Sequence, residues 1–233
     1  RIMAYVEADE RPNFIKKVDM TVKPGIYSWA RNHVPQVIGE SRYNYSLLKW
    51  LQRPLPLNKG QVVALPERGN KVRVITKSEP THIALGHALR KKLFKILRRL
   101  PQIRKSWGDP PLFLKWKAQG NLVSADFTQA TDTLRFQWLA KVCLRFNLDP
   151  QLVYENMLVD GKPVTRGCFM GLPVSWSILS LTHYMICEAT LSHRDFTIRG
   201  DDLLAVMTEQ EFKCYKMLCD AVGFQLNLNK TFI

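Results

Sequence analysis

Cysteine is scarce in this chain: five residues, an odd number, with no Cys-x-x-Cys spacing. That excludes a disulfide framework and a structural zinc site, and it fits a reducing compartment. No run approaches about 18 uninterrupted apolar residues, so no stretch reads as a membrane span. The opening Arg1-Ile2-Met3 lacks an initiator methionine and an apolar leader, so the chain reads as a piece of something longer. Acid is short in the first half, where residues 1–120 carry 24 Lys and Arg against 8 Asp and Glu. Residues 121–233 carry 10 against 12, so a half of net +16 adjoins one of −2. A basic half joined to a mildly acidic one suits a nucleic-acid groove beside a metal site. With 46% hydrophobic and 10% aromatic residues among 233, the chain is globular, with length for one large or two small domains.

The densest signal is Arg199-Gly200-Asp201-Asp202. Phe196-Thr197-Ile198-Arg199 precedes it and Leu203-Leu204-Ala205-Val206 follows, which predicts a tight hairpin with the acids at its tip. Adjacent carboxylates at a turn need a partner if they are desolvated, and Mg²⁺ is a hard cation that takes oxygen ligands from carboxylates and phosphates. An earlier strand, Asn121-Leu122-Val123-Ser124-Ala125, ends in Asp126. Thr131-Asp132-Thr133 then predicts the start of a helix with Leu134, Trp138, Leu139, Val142 and Phe146 on one stripe. Carboxylates at a strand end and a hairpin tip are a way to converge on two bridged metals, the apparatus of in-line phosphoryl transfer.

Between these stretches lies Gly167-Cys168-Phe169-Met170-Gly171-Leu172-Pro173-Val174-Ser175-Trp176-Ser177. Asp126-x5-Asp132, Gly171-x3-Ser175-Trp176 and Gly200-Asp201-Asp202, in this order and spacing, resemble motifs A, B and C of viral RNA-dependent RNA polymerases. The wording through His183-Tyr184 is similar to the narnavirus and ourmiavirus-like group, with mitoviruses as more distant relatives. Upstream, Lys71-Val72-Arg73-Val74-Ile75-Thr76-Lys77 resembles motif F, and Asn229-Lys230 resembles motif D.

The resemblance implies an α+β right-hand polymerase. Residues 1–120 would supply fingers elements and residues 121–233 a palm, a βαββαβ-like antiparallel sheet with helices. Fingers residues are also expected to return between about 148 and 165. A thumb would lie elsewhere, so residues 1–233 alone are expected to be poorly processive or inactive. The implied activity is RNA-directed RNA synthesis on a positive-strand viral genome, with an RNA template and nucleoside triphosphates as partners. Two Mg²⁺ ions, or Mn²⁺ in their place, would be held by Asp126 and Asp201, with Asp202 assisting. Lys71, Arg73 and Lys77 would contact phosphates, and Asp132, Gly171 and Ser175 the nucleotide. Lys230 would protonate the leaving pyrophosphate. The implied location is the host cytoplasm, with the mitochondrion as the alternative.

Two other readings are weighed against this one. A reverse transcriptase would place aromatics where Thr131 and Gly200 stand. A non-catalytic basic RNA-binding protein would need the +16 half but not three acids in motif order. One departure from the polymerase pattern is Leu179, which stands where many members carry a motif B asparagine.

The remaining stretches predict ordinary elements. Residues 1–60 carry no motif, and a short helix is expected over 43–51. Strand Gln61-Val62-Val63-Ala64-Leu65 and strand 71–75 predict a hairpin with Lys71 and Arg73 on one face and Val72 and Val74 packed on the other. Thr81 is expected to cap a helix reaching Leu100. Its apolar stripe is Leu85, Leu89, Leu93, Ile96, Leu97 and Leu100, opposite Arg90, Lys91, Lys92, Lys95, Arg98 and Arg99. A second short helix is expected over 148–158 and a brief strand at Val164-Thr165. A buried helix is expected from Val174 to about Ala189, with Ser175 as its N-cap or as a ribose contact. Thr208-Glu209-Gln210-Glu211 predicts a capping box on a helix ended by Gly223, and residues 224–229 an alternating strand.

Overall fold

The computed structural model describes residues 57–69, 71–104 and 117–232, with only the backbone of Lys71, and the helix expected over 43–51 lies outside the described residues. The alternation and the turn at Arg68-Gly69 produce a hairpin: β1 (Asn58–Glu67) pairs antiparallel with β2 (Lys71–Lys77), from Gln61↔Lys77 to Glu67↔Lys71. Its valines do not pack as expected. Val72 and Val74 are 59% and 58% exposed, because that stretch of β2 borders an open cavity instead of a core.

Helix α1 (Pro80–Leu97) begins with proline in its first turn, where the missing N–H costs nothing. Glu79 is its N-cap, and Thr81, expected there, is buried inside the helix. Leu85, Leu89, Leu93 and Leu97 are buried as the stripe requires, and Lys92 is buried with them, unlike its basic neighbours. The helix stops short of Leu100 because the residue before Pro101 is disfavoured in helical geometry, and a one-turn α2 (Pro101–Arg104) follows.

After β3 (Asn121–Ala125) and β4 (Phe127–Thr128), the helix expected to run from Thr131 is two pieces, α3 (Ala130–Thr133) and α4 (Phe136–Phe146). Tertiary partners make the break. The Leu134 carbonyl accepts from the Gly167 N–H at 2.7 Å, and the Arg135 N–H donates to the Val222 carbonyl at 2.9 Å. Leu134 itself is fully buried.

The helix expected over 148–158 does not form. Pro150–Leu152 is one 3₁₀ turn with Asp149 as its N-cap and Val153 as its C-cap, and Asn156, just before β5, takes a left-handed φ of 52°. Strand β5 (Met157–Val159) then runs parallel to β1, and β6 (Lys162–Pro163), two residues earlier than expected, pairs with β5. The sheet order is β2-β1-β5-β6.

Helix α5 (Ser175–Thr190) is buried on most sides, as its apolar sequence requires, although Val174 and not Ser175 is its N-cap. Hairpin strands β7 (Phe196–Arg199) and β8 (Asp202–Met207) then join β3 in a sheet of order β3-β8-β7, with β8 central. In α6 (Glu209–Val222) the capping box is complete, and Gly223 ends the helix at a φ of 104°. Strand β9 (Gln225–Leu226) pairs with β4, but the alternation stops there. Leu228–Lys230 is a 3₁₀ turn, and Leu228 is 66% exposed. Helix α5 packs against both α1 and α6, so one core joins the two sheets' helices. No helix among the described residues is long and apolar enough to cross a membrane.

The cap carries a testable consequence. Burial alone would raise the Glu211 carboxyl, but the N–H and hydroxyl groups of Thr208 and Ser192 bond it and hold it down at about 2. A depressed pKa stabilises the fold above the ordinary value of 4.5, and that stabilisation is lost as pH falls from there toward 2. Glu211→Ala should lower stability at pH 7 by about 0.5–2 kcal/mol. Urea unfolding of both proteins should show the gap close as pH falls below about 4.

Candidate active site

Two backbone devices bring the acids together. The first is the β7–β8 hairpin, whose pairing Arg199↔Asp202 leaves Gly200-Asp201 as a two-residue loop. Gly200 alone of the two has a positive φ, 71°, the sign pattern of a II′ turn. Glycine is required there for a second reason, since a Cβ would stand 2.7 Å from Trp176 Nε1. The second device is β3, paired to β8 with Ala125 opposite Leu203. Continued by one residue, that register sets Asp126 beside Asp202.

A third element closes from below. The Asn227 N–H donates to the Asp126 carbonyl at 2.9 Å, and Ser124 exchanges two 2.9 Å hydrogen bonds with Phe232. The 3₁₀ turn between them holds Lys230 over the strand end, with its Nζ 3.2 Å from Asp126 Oδ2.

These groups line one cavity of about 1010 Å³. Its walls include Arg73 from β2, Asp132 after β4, Gly171 in the loop before α5, Ser175 at the start of α5, the three acids and Lys230. Of the residues singled out in the sequence, Lys77 does not line it, and the Lys71 side chain lies outside the described residues. Gln129, Met170, Trp176 and Arg199 also line it, and none of them was assigned a role from the sequence. Arg199 had a legible signal, since a two-residue hairpin loop pairs it with Asp202. Gln129 had none, because its exposure to the cavity follows from a left-handed turn (φ 49°) that its residue type does not announce.

The electrostatics follow from crowding. Burial, then repulsion by Asp126, raises the Asp201 carboxyl, while Arg73 and Lys230 oppose the rise. Burial, Asp201 and Asp126 raise Asp202, against Arg199 and Lys230. Asp132 is raised by burial, and hydrogen bonds from Thr131 and the Met170 N–H oppose this. Arg73 also pairs with Glu67 at 2.7 Å, which fixes its side chain along the hairpin.

Ser175 is nearly committed. Its hydroxyl donates to the Phe169 carbonyl at 2.7 Å and takes a contact from the Cys168 thiol at 3.3 Å, leaving only acceptor capacity for a ligand. Gly171 is pressed against β2, where a Cβ would meet the Thr76 carbonyl at 2.2 Å. Thr76 N–H in turn donates to the Met170 carbonyl at 2.8 Å, so the loop before α5 is tied to the hairpin that carries Arg73.

Among the described residues, no group of three His, Cys, Asp or Glu side chains is gathered ready to hold an ion. The donor set nevertheless fits a hard cation. Asp126, Asp201 and Asp202 offer only oxygen, they repel one another, and an ammonium group already stands against Asp126.

No family model matches the chain. The RNA-directed RNA polymerase of Saccharomyces 20S RNA narnavirus is 32% identical to it over an alignment of 209 positions that covers 75% of this chain and 25% of that protein. The corresponding polymerase of Saccharomyces 23S RNA narnavirus is 26% identical, over 74% of this chain and 22% of its own length. The chain thus spans about a quarter of the curated relatives it matches. In fold it is similar to the RNA-dependent RNA polymerase of a human picorbirnavirus, with a TM-score of 0.52 over 75% of this chain and 40% of that one, at 16% identity. An insertion-loop deletion mutant of that polymerase gives a TM-score of 0.55 over 75% and 42%, again at 16% identity.

The turn offers a stability test. Gly161 has a φ of 78° with open space around it, whereas Gly200 combines a positive φ with the close indole. Gly161→Ala should cost about 1–2 kcal/mol, the penalty of a left-handed L-residue. Gly200→Ala should cost at least about 1 kcal/mol more from overpacking. Denaturant midpoints at unchanged slope measure both.

Proposed function

We propose that this chain, a relative of the narnavirus RNA-directed RNA polymerases with the fold of a viral RNA-dependent RNA polymerase, forms the nucleotidyl-transfer centre of such an enzyme. The observation that carries the reading is the convergence of Asp126, Asp201 and Asp202, from two separate strands, on a cavity that also holds Arg73 and Lys230. A pure RNA-binding protein has no use for that arrangement of acids.

The reaction is attack of a primer 3′-hydroxyl on the α-phosphate of an incoming nucleoside triphosphate, with pyrophosphate leaving. Asp126 and Asp201, with Asp202 assisting, would hold two Mg²⁺ ions (or Mn²⁺), which would make the hydroxyl more acidic and neutralise phosphate charge. Arg73 offers a guanidinium fork to the triphosphate, with Lys71 beside it in β2. Lys77, the third cation of the same strand, does not line the cavity. Gly171 holds the loop before α5 against β2 and so sets the depth of the nucleotide pocket.

Sugar recognition falls to acceptors, since Leu179 lines the cavity where an asparagine is usual. Asp132 accepts from the ribose 2′-hydroxyl, and Ser175 contributes its remaining lone pair. Lys230 starts on Asp126 and protonates the pyrophosphate as it departs.

The first two strands and two helices belong to the fingers (1–120), and the elements from β3 onward to the palm (121–233). Residues 157–163 return to the fingers sheet, in keeping with the parallel pairing of β5 and β1. The template is viral positive-strand RNA, and the site of replication the host cytoplasm or mitochondrion.

Single-nucleotide incorporation on a primed RNA, by the full-length polypeptide containing this sequence, tests the reading. Lys230→Leu should slow the single-turnover rate about 10²–10⁴-fold, with Lys230→Arg recovering only part, because arginine does not release its proton readily. A wild-type rate for Lys230→Leu would leave Lys230 without a catalytic role. Asp132→Ala should reduce discrimination between ribo- and deoxynucleotides by about tenfold, the scale of one hydrogen bond to a charged acceptor. The ratio of specificity constants for ATP and dATP reports it.

A further inference from the structure

His183 is buried completely, two helical turns into α5, and neither the metal nor the nucleotide contacts above call on it. Both of its ring nitrogens are engaged. Nδ1 lies 3.0 Å from the carbonyl oxygen of Gly200, and Nε2 lies 2.8 Å from the hydroxyl of Tyr215 on α6. A carbonyl only accepts, so the proton must be on Nδ1, and Nε2 then accepts from the Tyr215 O–H. The ring is therefore a neutral Nδ1–H imidazole, and burial, which drives its pKa down to about 4, keeps it so.

The peptide that accepts from His183 is the one between Gly200 and Asp201. Its other end, the Asp201 N–H, is hydrogen-bonded to the Asp201 carboxylate itself. One planar group is thus held from both sides, with the carbonyl fixed by His183 and the N–H aimed at the acid. The same ring also packs against Phe127, at 4.9 Å between centroids, and Phe127 is the residue next to Asp126. Trp176, seven residues earlier and so on the same face of α5, closes over the Gly200 Cα.

We propose that His183 is the positioning residue of the catalytic centre: through its Nδ1–H bond to Gly200 it sets the Gly200–Asp201 peptide plane, and through Phe127 it fixes the distance from that plane to Asp126. The proposal rests on the reading of these acids as the metal-holding set. Tyr215 acts at one remove, by holding the imidazole in the tautomer that donates to Gly200.

Two substitutions separate the role from mere packing. In His183→Asn the side-chain amide nitrogen occupies the place of Nδ1 and keeps the bond to Gly200. In His183→Gln the amide reaches the place of Nε2 and keeps the contact with Tyr215 only. Both remove part of a buried ring and should lower the thermal midpoint alike. In the full-length polypeptide, H183N should exceed H183Q by about tenfold or more in kcat, and bind Mn²⁺ alone, followed by electron paramagnetic resonance, more tightly by a similar factor. Nucleotide KM should differ little between them, because the triphosphate contacts are untouched. Nitrogen-15 shifts of the wild-type imidazole should show the Nδ1–H tautomer, and Tyr215→Phe should shift that population. Equal kcat and equal Mn²⁺ affinity for H183N and H183Q, or an Nε2–H ring in the wild type, would overturn the positioning role while leaving the polymerase reading intact. A wild type that neither takes up Mn²⁺ nor incorporates nucleotides would overturn that reading, and this proposal with it.

Discussion

Like charge held at close quarters is the constraint on which the rest of this structure depends. Asp126, Asp201 and Asp202 face one cavity, and burial and mutual repulsion push the latter two carboxyls up. Side chains so disfavoured stay together only if the backbone leaves them no alternative. The sheet β3-β8-β7 supplies that compulsion, because register sets Asp126 beside Asp202 and the two-residue loop projects Asp201. Arg73, Arg199 and Lys230 moderate the repulsion without removing it. A cation or a phosphate-bound metal would relieve that repulsion, and the proposed chemistry would bring one.

The elements around the sheet read as supports for that geometry. Helix α5 serves both ends of the site. Its start presents Ser175 and Trp176 to the cavity, and its middle presents His183 to the turn from beneath. The loop leading into α5 is tied to β2 through Thr76 and Met170, so the basic hairpin and the acidic turn share one rigid connector. The segment after β9 is clasped by Ser124 and Asp126, which places a lysine at the strand end although its local structure is a single 3₁₀ turn. Glycine is required at Gly200 and Gly171, where a positive φ coincides with a neighbour that a Cβ would strike.

Where the sequence was legible, local chemistry decided the structure. Two β-forming runs around Gly200-Asp201 admit little but a hairpin, and Thr208-x-x-Glu211 caps a helix by its own side chains. The acids' motif order was legible for the same reason, since strand end and turn tip are local facts. The illegible parts were set by distant partners. The break at Leu134-Arg135 exists because Gly167 and Val222 take those backbone groups. The strand at Met157 exists because β1, a hundred residues earlier, offers a parallel edge. Val72 and Val74 alternate like a packed strand face, but only the assembled cavity shows that nothing covers them. His183 was visible as a polar residue in an apolar helix, and its two partners, Gly200 and Tyr215, were not.

The central claim is that three carboxylates from two strands constitute one metal-holding centre. Anomalous diffraction at the manganese edge, from crystals of the full-length polypeptide grown with Mn²⁺, primed RNA and a non-hydrolysable nucleotide, tests it most directly. The account predicts two peaks, about 3.5–4 Å apart, between the Asp126 and Asp201 carboxylates, with Asp202 within reach of one of them. Manganese bound elsewhere, with no density between those two acids under conditions that support incorporation, would contradict it.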